Sequence, residues 1–234
     1  DARREDLKSI SSGLIPFSLM LVIVGMFLVM QPDIGTLGVI IVTAGFLYFL
    51  GGSRIPQILG LASLGIAAFY LIVQAAPYRL SRILVFLNPE LDPQGIGYQI
   101  NQAFIAIGSG GFWGLGFGRG VQKYQYLPEP MGDSIFAVLG EEMGFVGVIA
   151  LIGLFSFFFL SALRVAKRAP DVFGRLLASG ISIGIMTQAF VNMAAISGLL
   201  PLTGIPLPFV SYGGTSLAVT LASVGILMNI SRHT

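Results

Sequence analysis

The chain has 234 residues, 55% of them hydrophobic and only 10% charged, and its mean hydropathy is +0.86. A soluble domain carries about 25% charged residues, so this composition excludes a water-surrounded globule, and the long apolar runs point to a bilayer. The absence of cysteine excludes disulfides and thiolate metal sites, and the lone histidine, His233 at the far end, leaves no basis for a histidine-built catalytic or zinc site.

Six spanning helices are expected, in an all-α polytopic membrane protein. After a charged lead, DARREDLK, the first span runs from Gly13 to Met30, with Pro16 near its start, where a missing N–H costs little. The second, Thr36 to Leu50, is short for a hydrocarbon core of about 30 Å. The third is Ile58 to Ala76. A long connection, 77–133, separates it from the fourth span, Met143 to Leu163. The fifth is Leu176 to Leu200 and the sixth Thr215 to Ile230. The whole chain reads as one transmembrane domain. It begins without an initiator Met, and is read as a fragment or a processed product.

Basic residues set the orientation. With the amino terminus cytoplasmic, Arg3, Arg4, Lys8, Arg54, Arg164, Lys167, Arg168, Arg175 and Arg232 fall on that side. Only Arg79, Arg82, Arg119 and Lys123 fall on the other, the expected positive-inside bias. Both termini are then cytoplasmic, and the 77–133 loop is extracytoplasmic and neutral, since Glu90, Asp92, Glu129 and Asp133 balance its four cations. The basic character therefore points to anionic lipid at the inner face, with no nucleic acid implied.

A loop of this length is expected to carry structure of its own. In Arg79 to Leu87, Leu80, Ile83, Leu84 and Leu87 share a helical face while Arg79 and Arg82 snorkel, so the piece reads as an interfacial helix. In Tyr98 to Ile107, Ile100, Ala103, Phe104 and Ile107 recur at helical spacing, with Gln99, Gln102 and Ala106 facing elsewhere. Asn88 to Pro93 is turn chemistry. The glycine run Gly108 to Gly120 has no Gly-Lys-Ser/Thr ending and no preceding strand, so a phosphate-cradling loop is set aside for a flexible re-entrant segment. Phe112 and Trp113 read as interface anchors.

Asp133 carries two compatible readings. It precedes a helical run and can cap it, and it can serve as a general base at the outer membrane surface. Lys123 and Arg119 are the nearest cations in sequence, suited to an anionic leaving group or to loop and headgroup solvation. Glu129 stands between Pro128 and Pro130. Asp33 either caps the second span or has a role at membrane depth, since ionisable groups there are suspect by default. Gln188 and Asn192, four residues apart, suit interhelical hydrogen bonds, and Pro206 to Gly214 makes a rigid outer turn.

Leu127-Pro128-Glu129-Pro130, Asp133-Ser134-Ile135-Phe136-Ala137-Val138 and Glu141-Glu142-Met143-Gly144 together resemble the signature of the SEDS family (FtsW, RodA, SpoVE). Gln31 to Thr36, Asp92-Pro93 through Tyr98 with Gln102 to Gly111, and Pro206 to Gly214 match it in the same order. Met131-Gly132 departs from the His-Thr the family usually has before its aspartate. Val121-Gln122-Lys123-Tyr124 is more similar to the division and sporulation members than to the elongation ones.

The resemblance implies a ten-helix bundle, of which these would be the last six helices. It also implies an inverting peptidoglycan glycosyltransferase that polymerises lipid II at the outer face of the bacterial cytoplasmic membrane. Asp133 is then the catalytic base, with Lys123, Arg119, Glu129, Gln102 and Gln122 as substrate-binding candidates. The pyrophosphate charge would be met by the cations or by a divalent cation. The implied partners are lipid II, membrane lipids and a class B penicillin-binding transpeptidase. A flippase for the lipid-linked precursor is the alternative. It calls for broken helices and ionisable residues near the midplane, often in repeated halves; the spans lack charged midplane residues, and no internal repeat is evident.

Overall fold

The structure, a computed structural model, describes residues 9–74, 76–124 and 126–233, and among these the regular structure is helical. The charged lead with Arg3, Arg4 and Lys8 lies outside the described residues. Eight α-helices follow in order: α1 Ile15–Met30, α2 Ile34–Leu50, α3 Ile55–Gln74, α4 Pro77–Leu87, α5 Ile96–Gly110, α6 Ile135–Arg168, α7 Val172–Ile196 and α8 Gly214–Ser231. A π-helical turn, Ile10–Leu14, leads into α1. Among the described residues five helical stretches are long and apolar enough to cross a membrane, and α2, with 17 residues, is the short apolar one that its sequence predicts.

The ends of these helices have local causes. Asp33 accepts from the backbone N–H of Thr36 at 2.9 Å and so caps α2, which settles its role there as a helix start. The fifth span stops at Ile196, four residues before Leu200. Gly198 sits at φ +69°, its N–H donates to the Ala195 carbonyl, and Leu199 N–H donates to that of Ala194. This is a Schellman closure, which needs the left-handed residue that glycine supplies.

The chain divides into two compact units. The first comprises residues up to 76, with 159–187 and 222 onward. Within it Phe17 stacks on Tyr48 with ring centroids 4.5 Å apart, and Gly180 and Gly184 of α7 face Leu47 and Thr43 of α2. Small residues on α7 thus let α2 approach closely, the usual device where lipid supplies no hydrophobic drive. Outward faces are apolar: Met20, Phe27 and Ile66 are each about two-thirds exposed or more.

The second unit comprises 77–158 and 188–221, and holds the long connection. Here two expectations are corrected. Arg79 does not snorkel: it is buried with Val85, and its Nε donates to the Tyr78 hydroxyl at 2.9 Å, while Leu80, Leu84 and Leu87 are exposed. On α5 the buried line is Gly97, Ile100, Ala103, Ala106 and Gly110, so Ala106 faces inward and Phe104 is 43% exposed. Small side chains decide this face, because Gly110 lies against the carbonyl of Gly140 and leaves no room for a Cβ.

Candidate functional site

The fourth span begins earlier than its hydropathy indicates. Helix α6 starts at Ile135 and is interrupted at Gly144, whose φ of +63° and ψ of −164° are not helical. A broken helix leaves carbonyls free on one side and N–H groups free on the other, and these must find partners. The glycine-rich loop supplies them. Leu115 and Gly116 N–H donate to the carbonyls of Glu141 and Glu142 at 3.0 Å each, while Phe145 and Val146 N–H donate to the carbonyls of Gly111 and Phe112 at 2.9 and 3.2 Å. Gly114, at φ +80°, lies against the Glu142 carbonyl and Gly144 N, so this crossing needs glycine on both strands.

The side chains of Glu141 and Glu142 turn the same way. Glu141, 1% exposed, accepts from Val121 N–H at 2.8 Å and from Gln122 N–H at 3.2 Å. Glu142 accepts from Gly118 and Gly120 N–H at 2.9 and 3.3 Å, and from the Lys123 ammonium at 2.6 Å. The loop expected to be flexible is therefore fastened along its length by two buried carboxylates. The ion pair also holds the Lys123 pKa above the ordinary lysine value, chiefly through its hydrogen bond to Glu142. Both acidic residues are thus structural acceptors.

Asp133 stands two residues before α6. Among the described residues its carboxylate accepts from the backbone N–H of Asp133 itself and from none of the α6 N–H groups, which corrects the capping expectation. Instead Ser134 Oγ donates to its Oδ1 at 3.3 Å, and Gln99 Nε2 of α5 reaches Ser134 Oγ at 3.1 Å and Asp133 Oδ2 at 3.5 Å. Burial pushes the Asp133 carboxyl above the ordinary carboxylate value, and the negative charge of Glu129 adds to this, while the bonds from Gln99 and Ser134 act against it. The result is a half-buried carboxylate whose proton affinity is raised, the property a general base requires.

The backbone around Asp133 is held from another direction. Its own carbonyl accepts from Asn192 Nδ2 at 2.8 Å, and the same amide donates to the Ile205 carbonyl at 2.7 Å. Gln188 Nε2 donates to the Pro206 carbonyl at 2.9 Å. Gln188 and Asn192, read in the sequence as interhelical pairs, bind a loop backbone instead.

The other candidate residues are distributed as follows. Glu129 is exposed at φ +45° between its two prolines, and its carbonyl accepts from Gly132 and Ser134 N–H at 3.0 and 3.3 Å. Gln102 is half-buried on α5, three residues on from Gln99. Gln122 is anchored through its backbone, and its side-chain Oε1 is buried without a partner among the described residues. Arg119 is exposed, and among the described residues its guanidinium has no acidic partner. Among the described residues no group of three or more His, Cys, Asp and Glu side chains is assembled for a metal. The partners that sequence reading missed are Gln99 and Ser134. The signal for Gln99 was a polar residue on an otherwise apolar helix, and for Ser134 its adjacency to Asp133.

Comparison with known proteins fits this arrangement. The cell cycle protein family FtsW/RodA/SpoVE matches residues 2–234. A probable peptidoglycan glycosyltransferase FtsW from Trichlorobacter lovleyi is 46% identical over 99% of this chain and 61% of its own length. Stage V sporulation protein E of Bacillus subtilis is 42% identical over 99% of this chain and 63% of its own. The chain thus spans less than two-thirds of the length of these relatives. Among solved structures, a chain of a peptidoglycan synthase complex, described as coordinating polymerization and crosslinking, superposes with a TM-score of 0.72 at 28% identity, over 95% of this chain and 62% of its own. An aspartate-to-alanine mutant of the rod shape determining protein RodA from Thermus thermophilus gives 0.63 at 25% identity, over 99% and 62%. With its apolar spans and a family match along its length, this chain is an integral membrane protein of the FtsW/RodA/SpoVE family.

Proposed function

We propose that the protein polymerises a lipid-pyrophosphate-linked disaccharide, lipid II, into glycan strands at the outer face of the cytoplasmic membrane. The observation that carries this reading is the Asp133 carboxylate, half-buried, raised in proton affinity, and held by Gln99 and Ser134. In the proposed step the acceptor 4-hydroxyl oxygen forms a bond to the anomeric carbon of the donor. The carbon–oxygen bond to the pyrophosphate breaks with its electron pair leaving on that group, and the hydroxyl proton passes to Asp133. One base suffices for such an inversion, because the leaving group needs only its charge met. Arg119, the uncommitted cation of the glycine loop, suits that role better than Lys123, whose ammonium is engaged by Glu142. Gln102, Gln122 and the exposed Glu129 are the candidates for holding sugar hydroxyls.

The same reading places both termini in the cytoplasm and residues 77–133 outside, on the basic-residue bias, and treats this chain as the later six spans of a longer bundle. A class B transpeptidase is the partner that would cross-link the strand, a role in keeping with the synthase complex that this chain resembles. A flippase reading needs ionisable groups lining a path through the membrane. The candidates within α6, Glu141 and Glu142, are instead taken up by loop N–H groups and Lys123.

Polymerisation of purified lipid II by the full-length protein in vesicles, with its partner present, tests the proposal. General-base catalysis contributes about 10²–10⁴-fold, so Asp133→Asn is expected to lose rate by that factor while still binding precursor. An Asn variant that polymerises at the wild-type rate ends the base assignment. Wild-type protein that moves lipid II across the bilayer but never joins it favours transport.

A further inference from the structure

Three successive carbonyls of the Asp133 loop each accept a hydrogen bond from outside the loop. Met131 takes one from the backbone N–H of Tyr212 at 2.7 Å, Gly132 from Ser211 Oγ at 2.7 Å, and Asp133 from Asn192 Nδ2 at 2.8 Å. We infer that Ser211 and Asn192 are positioning residues that set the place of Asp133 by clamping the backbone on which it stands. The inference rests on Asp133 being the base, and it deepens that reading.

The clamp is itself well fastened. Asn192 is 2% exposed, and its amide donates at once to Asp133 and to Ile205, which ties the loop to α7 and to the 205–212 segment together. Two carbonyls facing one nitrogen also fix which end of the amide points there. The Ser211 hydroxyl accepts from Leu207 N–H at 2.7 Å while donating to Gly132. It therefore joins the turn to the catalytic loop through a single oxygen. Pro206 and Pro208 restrict the intervening backbone, Gln188 holds the Pro206 carbonyl, and Phe209 sits at φ +65°, a conformation that bulky residues adopt only when their surroundings impose it. None of these groups bonds to the Asp133 carboxylate, so their effect on chemistry has to pass through its backbone position.

A residue that acts by placement alters the chemical step, because a misplacement of about 1 Å costs about 10²-fold in rate. The test measures kcat and KM for lipid II with full-length protein in vesicles, for Ser211→Ala, Ser211→Thr, Asn192→Leu and Asp133→Asn, with Tm recorded for each. Ser211→Ala is expected to lower kcat about 10²-fold with KM changed by less than about threefold, and Ser211→Thr, which keeps the hydroxyl, to recover most of the rate. Asn192→Leu removes a donor on a different element and is expected to give the same split in its folded fraction. A wild-type kcat for either Ser211→Ala or Asn192→Leu, beside an inactive Asp133→Asn, overturns the clamp and leaves the base standing. A loss that follows unfolding alone, with Thr failing to restore it, also overturns the clamp. Full activity in Asp133→Asn overturns the base, and the clamp with it.

Discussion

Replacing Glu141 by alanine tests whether the glycine loop is built or merely flexible. The side chain is almost fully buried, and it is the acceptor for the backbone N–H groups of Val121 and Gln122. Truncation leaves both part-buried donors without their acceptor. A stranded buried donor costs about 1–3 kcal/mol, and because both donors are only part-buried the pair stands at the low end, about 2–3 kcal/mol. That cost falls on the loop more than on the spanning helices, whose backbone bonds are internal. At about 1.4 kcal/mol per decade, even the lower figure raises the local opening equilibrium about 30-fold. Hydrogen exchange read at the Val121–Gln122 peptide, in detergent or nanodiscs, is expected to accelerate by at least that factor, while peptides within α7 stay protected. Glu141→Gln keeps one acceptor oxygen and falls between. Exchange in the alanine variant within about threefold of wild type, a shift worth less than a kilocalorie, refutes the account of this carboxylate as the loop's anchor.

Further expectations follow from the same geometry. Asp133 has its carboxyl raised above the ordinary value by burial, and as the proposed base it would work only when ionised. Polymerisation should therefore fall as pH drops through that raised value, at a higher pH than an exposed aspartate would give. The stability contribution has the opposite sign: it is complete below the unfolded value and lost as pH rises through the folded one. Gln99→Leu removes a bond that favours the ionised form and should move the acid limb of the rate profile upward; a limb that stays in place argues against Gln99 as its tuner. At the glycines, Gly118→Ala meets open space at φ +80° and should cost about 1–2 kcal/mol. Gly114→Ala, at the same φ, meets Glu142 and Gly144 backbone atoms and should abolish the folded loop, as comparison of thermal unfolding and exchange will show.

The spans were legible because bilayer helices announce themselves by hydropathy, short α2 among them, whereas the cap at Asp33 was one of two roles that its sequence left open. Asp133 was visible as a lone carboxylate before a helix, and the family motifs made it the candidate base. What escaped was everything that depends on long-range pairing. Glu141 and Glu142 mark a charged edge in a hydropathy profile, which made the fourth span seem to begin at Met143. The nearby loop amides let α6 start at Ile135 with both carboxylates buried. Arg79 and Ala106 were misplaced because periodicity finds a face without saying which neighbour it meets. Gln99 lies 34 residues from Asp133 in sequence, and no local rule joins them.

The splice at Gly144 has a bearing on how the chain tolerates change. Surface loops ordinarily absorb added or deleted residues at little cost, since closure entropy grows slowly with length. Residues 111–116 are a loop by shape, yet they complete the backbone hydrogen bonding of a helix interrupted beside them, donating to one half and accepting from the other. An added residue there shifts donors and acceptors out of step on both sides of the break at once. Its length is therefore as tightly specified as the pitch of the helix that it splints.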